Sequence, residues 1–219
     1  MVITFYLFLQ KFYVMESIIL NLSKSNDDLY MKSKWFGNPD VPEDYPIPDD
    51  LCFICQIRCD ELAEFDEDNL LPHKGMLYFF GAIDYYFGWL DCYYPENQYW
   101  QRDDVKVFYI EDIENQEFKQ IVFEDEDGEP LAIAPRSIEF SLEKADCDGH
   151  KLFGVPFDMP WEDWDAPYQG WIELLQVDSD EDDDFRLNFV DFGMMHVLIN
   201  PDDLKNKDFS KVTATLIYT

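Results

Sequence analysis

The chain is a series of short apolar runs separated by acidic and proline-rich stretches, and a helical period is scarce. "LCFICQI" (51–57) is apolar at odd and even positions alike, which predicts a strand buried on both faces. "GMLYFFG" (75–81), "WIELLQV" (171–177), "GMMHVLIN" (193–200) and "KVTATLIYT" (211–219) also read as strands. "DVKVFYIED" (104–112) alternates Val105, Val107 and Tyr109 with Lys106, Phe108 and Ile110, and "RSIEFSLEK" (136–144) alternates Ile138, Phe140 and Leu142 with polar neighbours. Both predict strands, the second half-exposed. "FKQIVFED" (118–125) adds another, and "CDELAEF" (59–65) suits one or two helical turns. Four prolines in residues 26–50 forbid a long helix there and predict an extended, turn-rich lead-in. The fold class that follows is α+β and β-dominated, a mostly antiparallel sheet with a few short helices.

Two of these stretches match each other. "CFICQI", an acidic stretch and "LLPHKGMLYFF" are echoed by "IELLQV", an acidic stretch and "NFVDFGMMHVLI". Gln56 corresponds to Gln176, and Gly75-Met76 to Gly193-Met194. Pseudo-repeats at about 51–81 and 171–200 predict a duplicated hairpin inside one merged domain, because a lone hairpin is barely stable. The organisation expected is an N-terminal segment, 1–32, followed by a single domain, 33–219. Within the first segment "MVITFYLFLQKFYVM" is broken by Gln10 and Lys11, too early for a membrane span of about 20 residues. It also lacks a basic start and a cleavage site, so residues 1–14 suit a misassigned start ahead of Met15, or a short packed element.

Charge changes the picture most. The 219 residues carry a formal net charge of −31, with 47% hydrophobic and 17% aromatic residues. The apolar content excludes disorder, and the charge disfavours nucleic acid, anionic membranes and self-association. It favours a basic protein partner and a monomer. The five cysteines are an odd number in a chain without a secretion signal, which predicts a reducing cytoplasm.

The ordered series "SKWFGNPDVP" (33–42), "FICQI" (53–57), "LLPHKGMLYFF" (70–80), "VKVFYIED" (105–112), "GHKLFGVP" (149–156), "ELLQVDSD" (173–180), "DFGMMHVLI" (191–199) and "DLKNKDFSKV" (203–212) resembles the YwqG-like family of bacterial proteins. The resemblance implies a β-rich fold with internal duplication and no established reaction. Some relatives look like partners in toxin–immunity neighbourhoods, which by analogy implies an immunity-type role. The family tends to carry Gly-Gly where this chain has Phe36-Gly37, and Trp-Gly-Asp where it has Phe189-Val190-Asp191. That departure weakens any inherited site at Asp191.

Candidate chemistry is sparse. Six acids, Asp178, Asp180, Glu181, Asp182, Asp183 and Asp184, surround Ser179. Counted as a calcium loop from Asp178, the run has Asp183 where glycine is needed and Phe189 where a bidentate glutamate is needed. A solvated hairpin loop, a contact patch for a basic partner and a weak calcium site remain open. Cys52-x-x-Cys55 has zinc-like spacing, but on a regular strand the two thiols face opposite sides, so core thiols are expected, with no metal or cofactor. Gln56 and Gln176 are expected to play structural parts, facing one interior or bonding nearby backbone, with Gly75 and Gly193 at the repeat's turns and Asp191 beside the second. The aromatic segments 84–100 and 159–171 suit core-capping loops, a protein interface or a sugar site, with Trp161 and Trp164 as candidate contacts. Glu162, Asp163 and Asp165 beside them invite a glycosidase reading, yet acids are too common for proximity to count. "DCDGH" (146–150) reads as a turn before a strand. No GxSxG, Walker, GxGxxG or HExxH motif is present. The sequence therefore favours a non-enzymatic interaction module over a ligand-binding protein or hydrolase.

Overall fold

The computed structural model describes residues 16–48, 50–84, 89–92, 98–131, 133–156, 164–183, 185–190 and 192–217. The strands in the first part of the chain are β1 (Ser17–Lys24), β2 (Lys34–Trp35), β3 (Asp40–Pro42), β4 (Cys52–Arg58), β5 (Met76–Gly81), β6 (Ile83–Asp84), β7 (Trp89–Cys92), β8 (Val105–Ile110) and β9 (Phe118–Gln120). Those in the second part are β10 (Arg136–Glu143), β11 (Lys151–Leu152), β12 (Ile172–Asp178), β13 (Asp180–Asp182), β14 (Phe185–Asn188), β15 (Met194–Ile199) and β16 (Val212–Ile217). Helix is confined, among the described residues, to α1 (Pro201–Lys205) and a 3-10 turn at Phe209–Lys211. The β-dominated, mostly antiparallel fold expected from the apolar runs is what the chain adopts; β7 and β14 form a parallel exception.

Ten strands form one sheet in the order β16-β15-β12-β11-β1-β10-β2-β4-β5-β8. Its two edge strands, β8 and β16, lie against each other, so the sheet is a nearly closed barrel. Its order reads the same from either end if the first part of the chain is exchanged for the second. β1 answers β10, β2 answers β11, β4 answers β12, β5 answers β15 and β8 answers β16.

The registers are equivalent too. Cys52 pairs with Gly81 and Arg58 with Met76, as Ile172 pairs with Ile199 and Asp178 with Met194. Each long strand carries a bulge at the same step, Phe53/Cys55 in β4 and Glu173/Leu175 in β12. The duplication is therefore larger than a hairpin: it is a five-strand unit. It includes a motif the pattern reading passed over, Lys34-Trp35-Phe36-Gly37-Asn38-Pro39 and Lys151-Leu152-Phe153-Gly154-Val155-Pro156. Phe36 and Gly37 have φ of 52° and 76°, and Phe153 and Gly154 have 60° and 87°. Glycine is required at the second position for space as well as for φ. A Cβ on Gly37 would lie 2.7 Å from Pro135 Cβ, and one on Gly154 would lie 2.5 Å from the Ala145 carbonyl.

The two units exchange their first strands. β1 pairs with β10 and β11, and β10 with β1 and β2, so each unit's opening strand lies beside the short lysine strand of the other. Ser17–Lys24, which precedes the boundary drawn at residue 33, is a central strand of the barrel. Ile18, Leu20 and Leu22 alternate in it, though only Ile18 and Leu20 of its apolar side chains are fully buried.

The barrel interior is one large apolar cluster that includes Ile54, Leu77, Phe79, Leu174, Leu175 and Val197. The bulge in β4 shifts its side-chain alternation by one residue. Cys52 and Cys55 consequently both join this interior cluster, instead of facing opposite sides as a regular strand would place them. Both thiols, with Cys59, are buried, and burial pushes the Cys59 thiol up to about 12. Outside the barrel wall, each unit packs a smaller cluster of its own. Phe53, Tyr78 and Phe80 anchor one, and Tyr99, Trp164 and Leu198 the other.

Candidate functional site

The acidic run opens the four-stranded sheet β13-β14-β7-β6 as a hairpin, with Asp180 opposite Leu187 and Asp182 opposite Phe185. Much of its charge is used within the molecule. Asp182 Oδ2 accepts from Arg136 at 2.6 Å and lies 3.6 Å from Lys24, both on the central strand pair. Asp178 accepts from the Gly149 and Ser179 amides, and its burial raises its pKa. Asp180 lies 4.0 Å from His150 Nε2, and its pairing with that ring holds its carboxyl below the ordinary aspartate range. Glu181 and Asp183 stay exposed, Glu181 at 3.8 Å from Arg186. Asp184, Asp191 and Trp161 lie outside the described residues, as do Glu162 and Asp163. No group of three or more His, Cys, Asp or Glu side chains among the described residues could hold a metal ion.

The return from this hairpin presents what the sequence pattern did not single out. Phe189 is buried at 0%, whereas Val190 is 49% and Phe192 76% exposed. Both exposed residues have φ in the left-handed region, 62° and 55°. A β-branched residue there is a genuine outlier. Ser179 fixes the turn by donating to the Gly193 carbonyl at 2.8 Å and accepting from the Phe189 amide at 3.3 Å. In the other unit the equivalent turn ends in Lys74-Gly75, with Lys74 paired to Glu111 and Gly75 at a φ of 83°.

The outer face of the barrel wall carries two polar rows in matching register. Lys34, Gln56 and Tyr78 run across β2, β4 and β5; Lys151, Gln176 and His196 run across β11, β12 and β15. The two glutamines therefore face separate outer clusters, not one shared interior, and each does bond nearby backbone. Gln56 donates to the Lys32 carbonyl and Gln176 to the Gly149 carbonyl, each at 2.8 Å.

In the first row Asp40 is the hub. Its Oδ2 accepts from Lys34 Nζ at 2.7 Å, Gln56 Nε2 at 2.7 Å and the Met31 amide at 2.9 Å, and Gln120 reaches Oδ1 at 3.2 Å. The Asp40 amide donates to Gln56 Oε1, and the Tyr78 hydroxyl donates to the Asp40 carbonyl at 2.6 Å. Burial pushes the Lys34 amine down and the Tyr78 phenol up.

The second row is built differently. Lys151 donates to the carbonyls of Ala145, Cys147 and Val155 at 3.1, 2.8 and 2.7 Å. Glu173 stands where the first unit has Phe53, and His196 where it has Tyr78. His196 Nδ1 bonds Glu173 Oε1, and Glu173 Oε2 lies 3.9 Å from Lys151 Nζ. Glu173 and His196 are 0% exposed, yet Glu173 Oε2 and His196 Nε2 make no hydrogen bond. Trp164, expected on a partner surface, is instead buried at 2% with its ring 5.9 Å from that of His196, and its Nε1 is also unpaired.

A domain of unknown function, DUF1963, matches residues 33–216. The chain belongs to that family. The resemblance to YwqG-like proteins is consistent with this assignment. No curated protein matches the chain. The family match begins after β1, so it leaves out a strand that the barrel needs at its centre. Val190 occupies a backbone conformation that glycine adopts freely. Glu173 and His196 lay inside apolar runs, and their only sequence signal was a charge and an imidazole interrupting "IELLQV" and "GMMHVLI". No helix among the described residues is long and apolar enough to cross a membrane.

Proposed function

We propose that this family member is a non-enzymatic protein-binding module that docks a basic partner at the second unit's acidic hairpin and the Phe189–Gly193 turn beside it. The carrying observation is the exposure of Val190 and Phe192 on strained backbone. Strain of this kind costs about 1–3 kcal/mol and persists where the surroundings enforce it, commonly at ligand clamps and switches. An exposed aromatic at the base of a hairpin whose Glu181 and Asp183 are exposed offers an apolar anchor on an acidic element, which suits a cationic protein with an apolar contact. Asp178, Asp180 and Asp182 shape the hairpin from within. An immunity-type role in the cytoplasm, where an acidic face covers a cationic site on another protein, is the specific form of this reading.

Affinity capture from the native host with wild type, Phe192→Ala, and a charge-reversed control on the exposed acidic turn at Glu124, Glu126 and Asp127 tests it. The expected result is a basic protein held at low salt, released as salt rises, and lost with Phe192→Ala alone. Retention by Phe192→Ala with loss in the control would move the docking surface to the other acidic turn and overturn the assignment.

A further inference from the structure

The first unit carries an open groove of about 520 Å3 where the small sheet of β3 and β9 meets the end of β8. Pro42 at the end of β3, Ile110 at the end of β8 and Tyr45 give it an apolar wall. Tyr45 is half-buried, with its ring edge-on to Phe108 at 5.7 Å between centres. The Tyr45 amide donates to the Pro42 carbonyl at 2.9 Å, which closes a tight turn with Glu43 and Asp44 at its central positions. Glu117 enters the same groove from the partner strand. Pro42 pairs with Phe118, so one step further along the ladder Glu43 stands opposite Glu117.

That arrangement opposes stability, because like charges directly opposite on paired strands are destabilising. Elsewhere acids meet bases, as Asp182 meets Arg136 and Glu111 meets Lys74. Here no lysine, arginine or histidine lines the groove. Glu43, Asp44 and Glu117 are exposed, and none makes an ion pair or side-chain hydrogen bond among the described residues. Three uncompensated carboxylates therefore rim an apolar wall.

We infer that this groove binds a small primary alkylammonium ion, with Glu43, Asp44 and Glu117 receiving its charged head and Pro42, Tyr45 and Ile110 seating its alkyl chain. An ammonium head offers three donors and no acceptor, the complement of ionised carboxylates, which only accept. Its charge also offsets the repulsion between Glu43 and Glu117. The three acids do not form a group that could hold a metal ion, so a bare divalent cation is not matched to them. An anion is repelled, and a neutral molecule leaves the carboxylates uncompensated. The Tyr45 ring adds an aromatic surface of the kind that attracts cations. A concave apolar surface with a few convergent polar groups is the usual form of a small-molecule site.

The test titrates the full chain with n-butylammonium at constant ionic strength, following the NMR signals of Tyr45 and Ile110. Both signals are expected to shift and saturate. Neither 1-butanol, which lacks the charge, nor sodium ion, which lacks the chain, should reproduce the shifts. The double variant D44N/E117Q, altered only at exposed positions without partners, should bind about tenfold more weakly or worse without a lower melting temperature. The control E124Q/E126Q, which removes the same number of charges from a different exposed turn, should bind as wild type. Equal weakening in the control would reduce the effect to a general counter-ion cloud and overturn the inference. Saturation by 1-butanol at the same concentration, or unmoved Tyr45 and Ile110 signals, would overturn it as well. Phe192→Ala should leave this binding intact, so the result is independent of the docking surface.

Discussion

The two units of the barrel share strand order, register, bulge and lysine–glutamine row, yet they treat the row in opposite ways. In the first, the aspartate that opens β3 turns in and collects four donors on its carboxylate. In the second, the lysine satisfies itself on backbone carbonyls, and a glutamate and a histidine take up apolar and tyrosine positions. The same scaffold thus carries one closed network and one open one. A duplicated fold allows this division, because one copy can keep the framework while the other departs from the arrangement that stability alone favours.

The largest effect should come from the strand both units share. Truncation of everything before residue 33 removes β1 from between β10 and β11, exposing two strand edges and the apolar interior they cover. The product beginning at residue 33 should fail to fold, read as loss of the near-UV circular dichroism signal and as aggregation. A soluble, cooperatively melting fragment would show that the strand exchange is dispensable. Next comes the hub of the closed row. Asp40→Ala leaves Lys34, 1% exposed, without its counter-ion, and should cost about 3–5 kcal/mol in urea unfolding. A loss under 1 kcal/mol would mean the closed network is not the stabilising one.

The strands that were legible in the sequence were those with enough apolar residues to announce themselves, such as "CFICQI" and "GMMHVLIN". β1 was not legible, because outside Ile18 and Leu20 its positions are mostly polar or half-exposed and its partners are more than a hundred residues away. The hairpin repeat was visible as Gln and Gly-Met at matching places. The wider repeat was hidden, because Lys34 and Lys151 look like surface residues until the topology buries them at 1% and 0%. The bulges defeated the face assignment of Cys52 and Cys55, since a single extra residue inverts a strand's alternation. The acidic run was conspicuous, but composition does not say which carboxylates meet Arg136 and His150. Nor does it say that the exposed anchor is Phe192, a residue type normally assigned to the core.

Intermediate effects sharpen the contrast between the rows. Glu173→Gln leaves Lys151, 0% exposed, facing a neutral amide, and should cost about 1–2 kcal/mol in thermal unfolding, less than Asp40→Ala because Lys151 keeps its three carbonyl acceptors. A loss as large as that of Asp40→Ala would place Glu173 in the framework beside Asp40. At the docking turn, Val190→Gly should raise stability by about 1 kcal/mol by relieving the left-handed valine, while weakening partner capture.

The smallest effect separates two acids of the same hairpin. The pairing with His150 depresses the pKa of Asp180, whereas burial raises that of Asp178. A carboxylate with a depressed folded pKa adds stability that is present above the unfolded value of about 3.9 and is lost as pH falls through the folded value. A raised one adds stability below the unfolded value and loses it as pH climbs through the folded value. Asp180→Asn should therefore cost stability at neutral pH, well under 1 kcal/mol because the side chain is 34% exposed, and nothing once the acid is protonated. Asp178→Asn should show the opposite trend, near zero where the acid is protonated and turning to a gain in stability towards neutrality. Melting both variants across acid to neutral pH reads the pair. Parallel curves would mean that both carboxylates simply face solvent, and the hairpin would then be a charged surface with no internal anchoring to set it apart from the exposed turn at Glu124–Glu129.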